Sequence, residues 1–417
     1  MLQEEQMLKS LGRSLLAVST LAIFSAVSAQ AQTVRVSGFG GADTVVVNGL
    51  LNDVLADEIA ALGIEVEYAP TEGDYSQFIL NALSAGTAPD VFYTDIFWSL
   101  SIFANGQAEP VNNKALSNAL IPSLVEAFTY DGQLYSVPKD FNTLAVHYNK
   151  DIFDDAGVEY PNNDDTWASF QEKLASVQNS IDDVYGVCVV PDYARFAAFA
   201  LGAGWEPFNE DGKTVLDDKF RRAFTYYTGL VSNGAGVLAA DIGEGWTGGC
   251  FGSEQAAVAI EGAWIIGFLK DAAPSMEYGT ALIPMDPETG DRGNLIFTVG
   301  WTVNASSNVK NEAAQLIELL TSEKAQQWVL EQGLALPSRS AMVDNPYLMG
   351  ESAEQKANLA VFQGASDGNV LPFFFGELGG AWMEPINSAL NSVLLGEADI
   401  DTALAEAQSR FEELQAD

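Results

Sequence analysis

Trp246-Thr-Gly-Gly-Cys-Phe-Gly-Ser-Glu-Gln-Ala-Ala-Val-Ala-Ile-Glu-Gly-Ala-Trp264-Ile-Ile-Gly-Phe-Leu-Lys270 is the most informative stretch of this 417-residue chain. Its centre, Ala256 to Ile260, is short, apolar and partly β-branched, with glycine on both sides. That is the pattern of a strand covered on both faces. The run stops at Glu261-Gly262, and an indole, Trp264, follows just past its carboxyl end. Ligands of open α/β sheets bind outside the carboxyl ends of strands. Trp264 is therefore a candidate platform for an apolar ring face, such as the C–H face of a sugar, with Glu261 beside it as a polar candidate. The alternative is a core indole, because Ile265-Ile266-Gly-Phe268-Leu269 reads as buried helix.

Outward from this segment, strand and helix alternate. Val34-Arg-Val-Ser-Gly38 reads as a strand, followed by the glycine-rich turn Phe39 to Asp43 and a helix from Val46 to Leu62 that Gly63 ends. Ile64 to Tyr68 and Pro89 to Thr94 read as further strands, with a helix from Tyr75 to Ala85 between them. This order predicts a parallel sheet with crossover helices. The first turn has neither dinucleotide-fingerprint nor P-loop spacing and reads as one wall of a ligand cleft. Asp95 and Trp98 stand at a strand–helix junction over the sheet edge, where Asp95 fits either a sugar hydroxyl acceptor or a helix N-cap.

The order "small-Gly-x-x-Ala-Ala-Val-x-Ile-x-Gly-x-Trp" resembles the most recognisable segment of family 1 extracellular solute-binding proteins, the ligand-capturing subunits of ABC importers for sugars. Ala88-Pro-Asp90-Val-Phe-Tyr-Thr-Asp95 is similar to that family's strand reaching the cleft. Gln133 to Phe153, with Pro138 and Tyr148-Asn-Lys150, resembles its first crossing between lobes. Pro161 to Trp167 resembles a helix start in which Trp167 packs. The resemblance implies an α/β, two-lobed periplasmic binding protein of type II, with hinge crossings near 139–143, 285–298 and 336–340. One lobe is then 33–140 with 299–336, and the other 141–298 with 337–417. It also implies that Trp264 stacks on a sugar, that Gly300-Trp301 faces the cleft, and that Trp382, opening a late helix, touches sugar too.

Further binding candidates are Lys139, Asp140 and Asn142, three polar groups in a buried neighbourhood that a polyhydroxylated ligand would satisfy. A local Lys139–Asp140 salt bridge is the competing account. Tyr193 and Arg195 lie in a strand-end loop, and Glu377 lies in the aromatic, glycine-rich bend Pro372 to Trp382. Acids together with Lys139 and Arg195 favour an uncharged sugar. The one histidine, His147, sits inside a strand and reads as structural, which removes Ser-His-Asp and Cys-His machinery. Paired carboxylates leave a secreted glycoside hydrolase as the enzyme alternative.

Composition agrees with export. Lys+Arg of 19 against Asp+Glu of 57 gives a net charge of −38, which repels nucleic acid and anionic lipid. Residues 1–31 read as a signal peptide, with Lys9 and Arg13, an apolar run from Leu15 to Val27 and cleavage near Ala29 or Ala31. No cysteine stands at that site, so no lipid anchor is expected, and the location is periplasmic. Cys188 and Cys250 fit a disulfide and two buried thiols equally. With two Cys and one His, no metal is expected. The chain is expected to be a monomer without cofactor that captures a sugar and docks on membrane permease subunits.

Overall fold

A computed structural model describes residues 32–416 apart from Phe374 and the surroundings of Gly376 and Glu377. The expected signal peptide lies outside the described residues. Among those described, no helix is long and apolar enough to cross a membrane.

Two main sheets carry the fold. The first runs in the order Leu336–Pro337, Ser136–Asn142, Gly293–Val303, Val91–Asp95, Gln32–Ser37, Ile64–Tyr68, and Asn369–Pro372 pairs with the lower end of Gly293–Val303. The second runs Tyr278–Ala281, Ala145–Asn149, Ala256–Glu261, Tyr185–Val189, Gly236–Leu238. Ala256–Glu261 lies mid-sheet and all six of its residues are buried, as its uninterrupted apolar run requires. The chain passes between the sheets within Asn142 to Ala145 and returns along Gly293–Val303.

The sheets are mixed rather than purely parallel. Gln32–Ser37 pairs in parallel with both Ile64–Tyr68 and Val91–Asp95, as the helical crossovers dictate. Gly293–Val303, however, runs antiparallel to Val91–Asp95 and to Ser136–Asn142, and Ala256–Glu261 runs antiparallel to Ala145–Asn149. Gly293–Val303 and Ala145–Asn149 enter from the other sheet, so no helical crossover fixes their direction.

The helix expected over Val46 to Leu62 is broken. Ala42–Gly49 passes through a π-turn, Leu50–Val54, before Ala56–Ala61 resumes. The Leu55 N–H donates to the Leu50 carbonyl at 2.9 Å, a five-residue step. That step turns both Leu50 and Leu55 into the core, where a regular helix would rotate one of them outward. Gly63, at φ 69°, ends the element in the left-handed region.

Side chains lace the crossings together. Asn142 Oδ1 accepts from the Ala263 N–H at 2.9 Å, and its Nδ2 donates to the Leu334 carbonyl at 3.3 Å. Thr298 Oγ1 donates to the Asp140 carbonyl at 2.8 Å. Gln326 Nε2 donates to Ser338 Oγ, which donates to the Pro138 carbonyl, both at 2.6 Å. All four side chains are buried polar groups whose partners lie on a neighbouring crossing or the element beside it.

Cys188 and Cys250 form a disulfide across 62 residues, tying strand Tyr185–Val189 to helix Thr247–Gly252. A cross-link over a loop of that length typically contributes about 2–4 kcal/mol. The C-terminal helices Glu384–Leu394 and Ile400–Leu414 pack on one another, burying Ile386, Leu390, Leu404 and Phe411.

Candidate functional site

A cavity of about 250 Å³ opens where the crossings meet. Phe39, Asp43, Asp95, Lys139, Asp140 and Trp264 line it, together with Phe297, Thr298 and Val299 from the returning strand. The register of the first sheet explains the polar side. Val299 pairs with Asp95 on one flank and with Asp140 on the other. Laterally paired residues share a face of the sheet, so the two carboxylates flank one valine. Trp264 comes from the other sheet, as the first residue of helix Trp264–Ala272 just past Ala256–Glu261.

Lys139 is the cation of this cavity. Its ammonium pairs with Asp140, lies 3.8 Å from Asp43 and stands 4.8 Å from the centre of the Tyr93 ring. Tyr93 in turn donates to Asp43 Oδ1 at 2.9 Å. Burial disfavours the lysine's charge, yet Asp140 and Asp43 hold its pKa above the ordinary value. Burial pushes Asp140 up to about 6 against the pull of Lys139. Asp95 rises to about 7, chiefly by desolvation and further through Asp140, and it accepts only a long bond of 3.4 Å from the Phe97 N–H. Among the described residues Asp95 has no ion-pair partner.

That asymmetry sets a pH dependence. With its folded pKa above the unfolded one, Asp95 binds more protons in the folded state between about pH 4 and 7. Its contribution to stability is present below about pH 4 and lost as pH rises through about 7. Asp95→Asn should therefore match wild type in urea unfolding near pH 4 and exceed it near pH 8. The partial exposure of Asp95 keeps the difference small. An unchanged pH profile in the variant would show that Asp95 is already solvated.

Glu261 and Arg195 form the second polar group. Glu261 is fully buried and its Oε2 accepts from Arg195 Nη2 at 2.7 Å and from the Trp264 indole N–H at 2.8 Å, while Oε1 accepts from Thr247. Arg195 also meets Asp192 at 3.3 Å, and its guanidinium lies 5.8 Å from the Trp264 ring centre. Glu261 thus orients the indole, and Arg195 is neutralised before any ligand arrives. Neither lines the cavity. The charge balance read from the sequence counted Arg195 as a free cation of the cleft. In the structure Lys139 stands alone there against three aspartates.

Other expected site residues lie elsewhere. Trp382 is fully buried, stacked on Phe375 at 4.6 Å and 9°, with its N–H donated to Thr214 Oγ1 at 2.8 Å. Trp301 is 2 % exposed, packs 4.4 Å from Tyr93 and does not line the cavity. Trp98 and Tyr193 are also core residues. Trp301, Trp382 and Tyr193 each lie beside an aromatic partner supplied by a distant segment, a packing that local sequence does not display. Asn142 lines the cavity, but its amide is committed to Ala263 and Leu334. The side chain of Glu377 lies outside the described residues. Trp167 packs flat on Tyr226 at 4.7 Å, and His147 meets the Glu261 carbonyl at 3.0 Å with its pKa lowered by burial to about 4.

The sequence reading missed Asp43, Phe39 and Phe297 as individual residues. The first two belong to the turn already taken as a cleft wall. Phe297 is set by its pairing with Asn142, and it meets Trp264 edge-on at 5.6 Å and 88°.

Comparison with known proteins identifies the family and the fold. Residues 58–360 match the family described as bacterial extracellular solute-binding protein. A putative ABC transporter periplasmic-binding protein, YcjN, of Escherichia coli strain K12 is 24 % identical over 399 residues, covering 84 % of this chain and 86 % of its own. An ABC substrate-binding protein from Listeria monocytogenes, solved in complex with cycloalternan, superposes with a TM-score of 0.81 at 21 % identity, over 93 % of this chain and 99 % of its own. An ABC transporter solute-binding protein from Thermotoga lettingae, bound to α-D-tagatose, gives 0.77 at 22 % identity, over 92 % and 99 %.

Proposed function

Because this chain belongs to the bacterial extracellular solute-binding proteins, we propose that it captures a carbohydrate in the cavity at the crossings and delivers it to the permease of an ABC importer. One observation carries the proposal. The two sheets both supply walls to the same cavity, which supports a division into lobes 33–140 with 299–336 and 141–298 with 337–417, although residues 293–298 and 369–372 of the second range pair within the first sheet. Asp95, Lys139 and Asp140 come from the first and Trp264 from the second. Carboxylates and an ammonium take sugar hydroxyls by charge-assisted hydrogen bonds, and an indole takes the C–H face.

A ligand held from both sides binds the approached lobes better than the separated ones and shifts the population towards closure. Closure is what a permease reads. The chain acts as a monomer that binds without turnover, as expected of a binding protein. Saturable release of reducing ends from an oligosaccharide would instead favour the hydrolase reading, for which Asp95 and Asp140 supply a carboxylate pair. Residues 1–31 direct export to the periplasm and are cleaved near Ala29 or Ala31.

The relatives' ligands range from cycloalternan to tagatose, so the fold alone does not set ligand size. The test is a thermal-shift screen of the mature protein against a panel of mono- and oligosaccharides. A ligand at about a hundred times its Kd stabilises the fold by about 2.7 kcal/mol and raises Tm. A panel that leaves Tm unmoved, with calorimetry equally silent, would overturn the carbohydrate reading.

A further inference from the structure

We propose that Phe373 sets the length of the ligand, making this a receptor for a single-ring monosaccharide rather than an oligosaccharide. The inference rests on the reading above that the cleft binds carbohydrate. The cavity's volume of about 250 Å³ falls below the roughly 300–1,000 Å³ of sites for drug-sized ligands. Phe297 forms one of its walls, and the Phe373 ring stands behind it at 4.9 Å. Phe373 is 6 % exposed and is wedged in place, 5.6 Å from Phe97, 5.0 Å from Phe375 and 6.4 Å from Tyr193 with the rings nearly parallel. Phe97 follows strand Val91–Asp95 of the first sheet, and Tyr193 opens helix Tyr193–Gly202 beside the second. One ring therefore bridges both sides of the cleft.

Beyond this double wall lies a separate cavity of about 350 Å³, lined by Tyr193, Trp205, Phe208, Leu295 and Phe375 among others. The Tyr193 hydroxyl is buried there without a hydrogen-bond partner among the described residues. An unpartnered buried hydroxyl is a cost that a ligand hydroxyl would remove. A sugar chain growing from the first ring past Phe297 meets Phe373 before it reaches that space. Without the Phe373 ring, the gap between Phe97, Phe297, Tyr193 and Phe375 is open, and a second sugar unit finds the Tyr193 hydroxyl. Phe373 touches none of the charged groups of the first cavity, so it acts on length alone.

The experiment is calorimetric titration of wild type and Phe373→Ala with the best monosaccharide from the screen and its di- and trisaccharides. Wild type should prefer the monosaccharide to the trisaccharide by roughly ten- to hundred-fold, the usual scale of a steric clash in a packed site. Phe373→Ala should reduce that preference to less than about five-fold by gaining trisaccharide affinity, with monosaccharide affinity nearly constant. Phe373→Leu, which keeps an apolar side chain, should give an intermediate ratio and carries the test if the alanine variant does not fold. Trisaccharide binding by wild type as tight as monosaccharide binding would overturn the proposal, as would an unchanged ratio in the variants. If no sugar of any length binds wild type, the carbohydrate reading itself fails, and the proposal with it.

Discussion

Trp264→Ala is expected to bind sugar roughly thirty-fold to thousand-fold more weakly than wild type. That is the affinity equivalent of about 2–4 kcal/mol, the range of a buried aromatic anchor. The indole lines the cavity, is held edge-on to Phe297 and is fixed in rotation by its N–H bond to Glu261. It is therefore presented as a rigid platform whose ordering cost was met on folding. Trp264→Phe separates the two roles of this side chain. It keeps a ring face but loses the donor to Glu261, so it should recover most of the lost affinity while binding less selectively. Titration calorimetry of the three proteins with the same sugar checks the result. If the alanine variant binds as wild type does, the indole is only part of the packing and the platform must be sought elsewhere.

The effect of Trp382→Ala should fall on stability instead. That indole is fully enclosed by Phe375, Tyr193, Trp205, Phe208 and Phe411, and its N–H is satisfied by Thr214. Truncating it leaves a large void and leaves Thr214 Oγ1 with only the Gln415 amide at 3.3 Å, at a cost of about 3–5 kcal/mol. Urea unfolding should show the loss as a lower midpoint with an unchanged slope. Sugar affinity measured well below that midpoint should stay within about two-fold of wild type, since the indole is remote from the cavity. A stable variant with weakened binding would return Trp382 to the ligand site, where its sequence context had suggested it.

The contrast between these two tryptophans shows what sequence could reveal. Ala256 to Trp264 was legible because its signal is local: an apolar strand, a stop, then an indole at the carboxyl end. Asp95 was legible as a polar residue at a strand end, and Lys139 and Asp140 as polar residues set in an apolar run, although they lie mid-strand. The family resemblance points to Trp382 and Trp301 as ligand contacts, and what covers them comes from far along the chain, Phe411 and Thr214 for one and Tyr93 for the other. The antiparallel course of the returning strand was likewise unreadable, because direction is decided by which sheet a segment leaves. The break at Leu50 to Leu55 hid in an apolar pattern that a regular helix also accommodates. Arg195 looked like a free cation until Glu261, 66 residues away, took its charge.

The lacing of the crossings by Asn142, Thr298, Gln326 and Ser338 decides how this molecule can change shape. Sliding one connecting segment past another would break several buried side-chain hydrogen bonds at once, each worth about 1 kcal/mol net and more if left unpaired. Translation is thereby blocked, and flexing of all the connecting segments at one level, as a bundled strap flexes, leaves every one of these bonds intact. The two halves are accordingly expected to pivot about a shared axis rather than shear, which a comparison of ligand-free and ligand-bound structures would check.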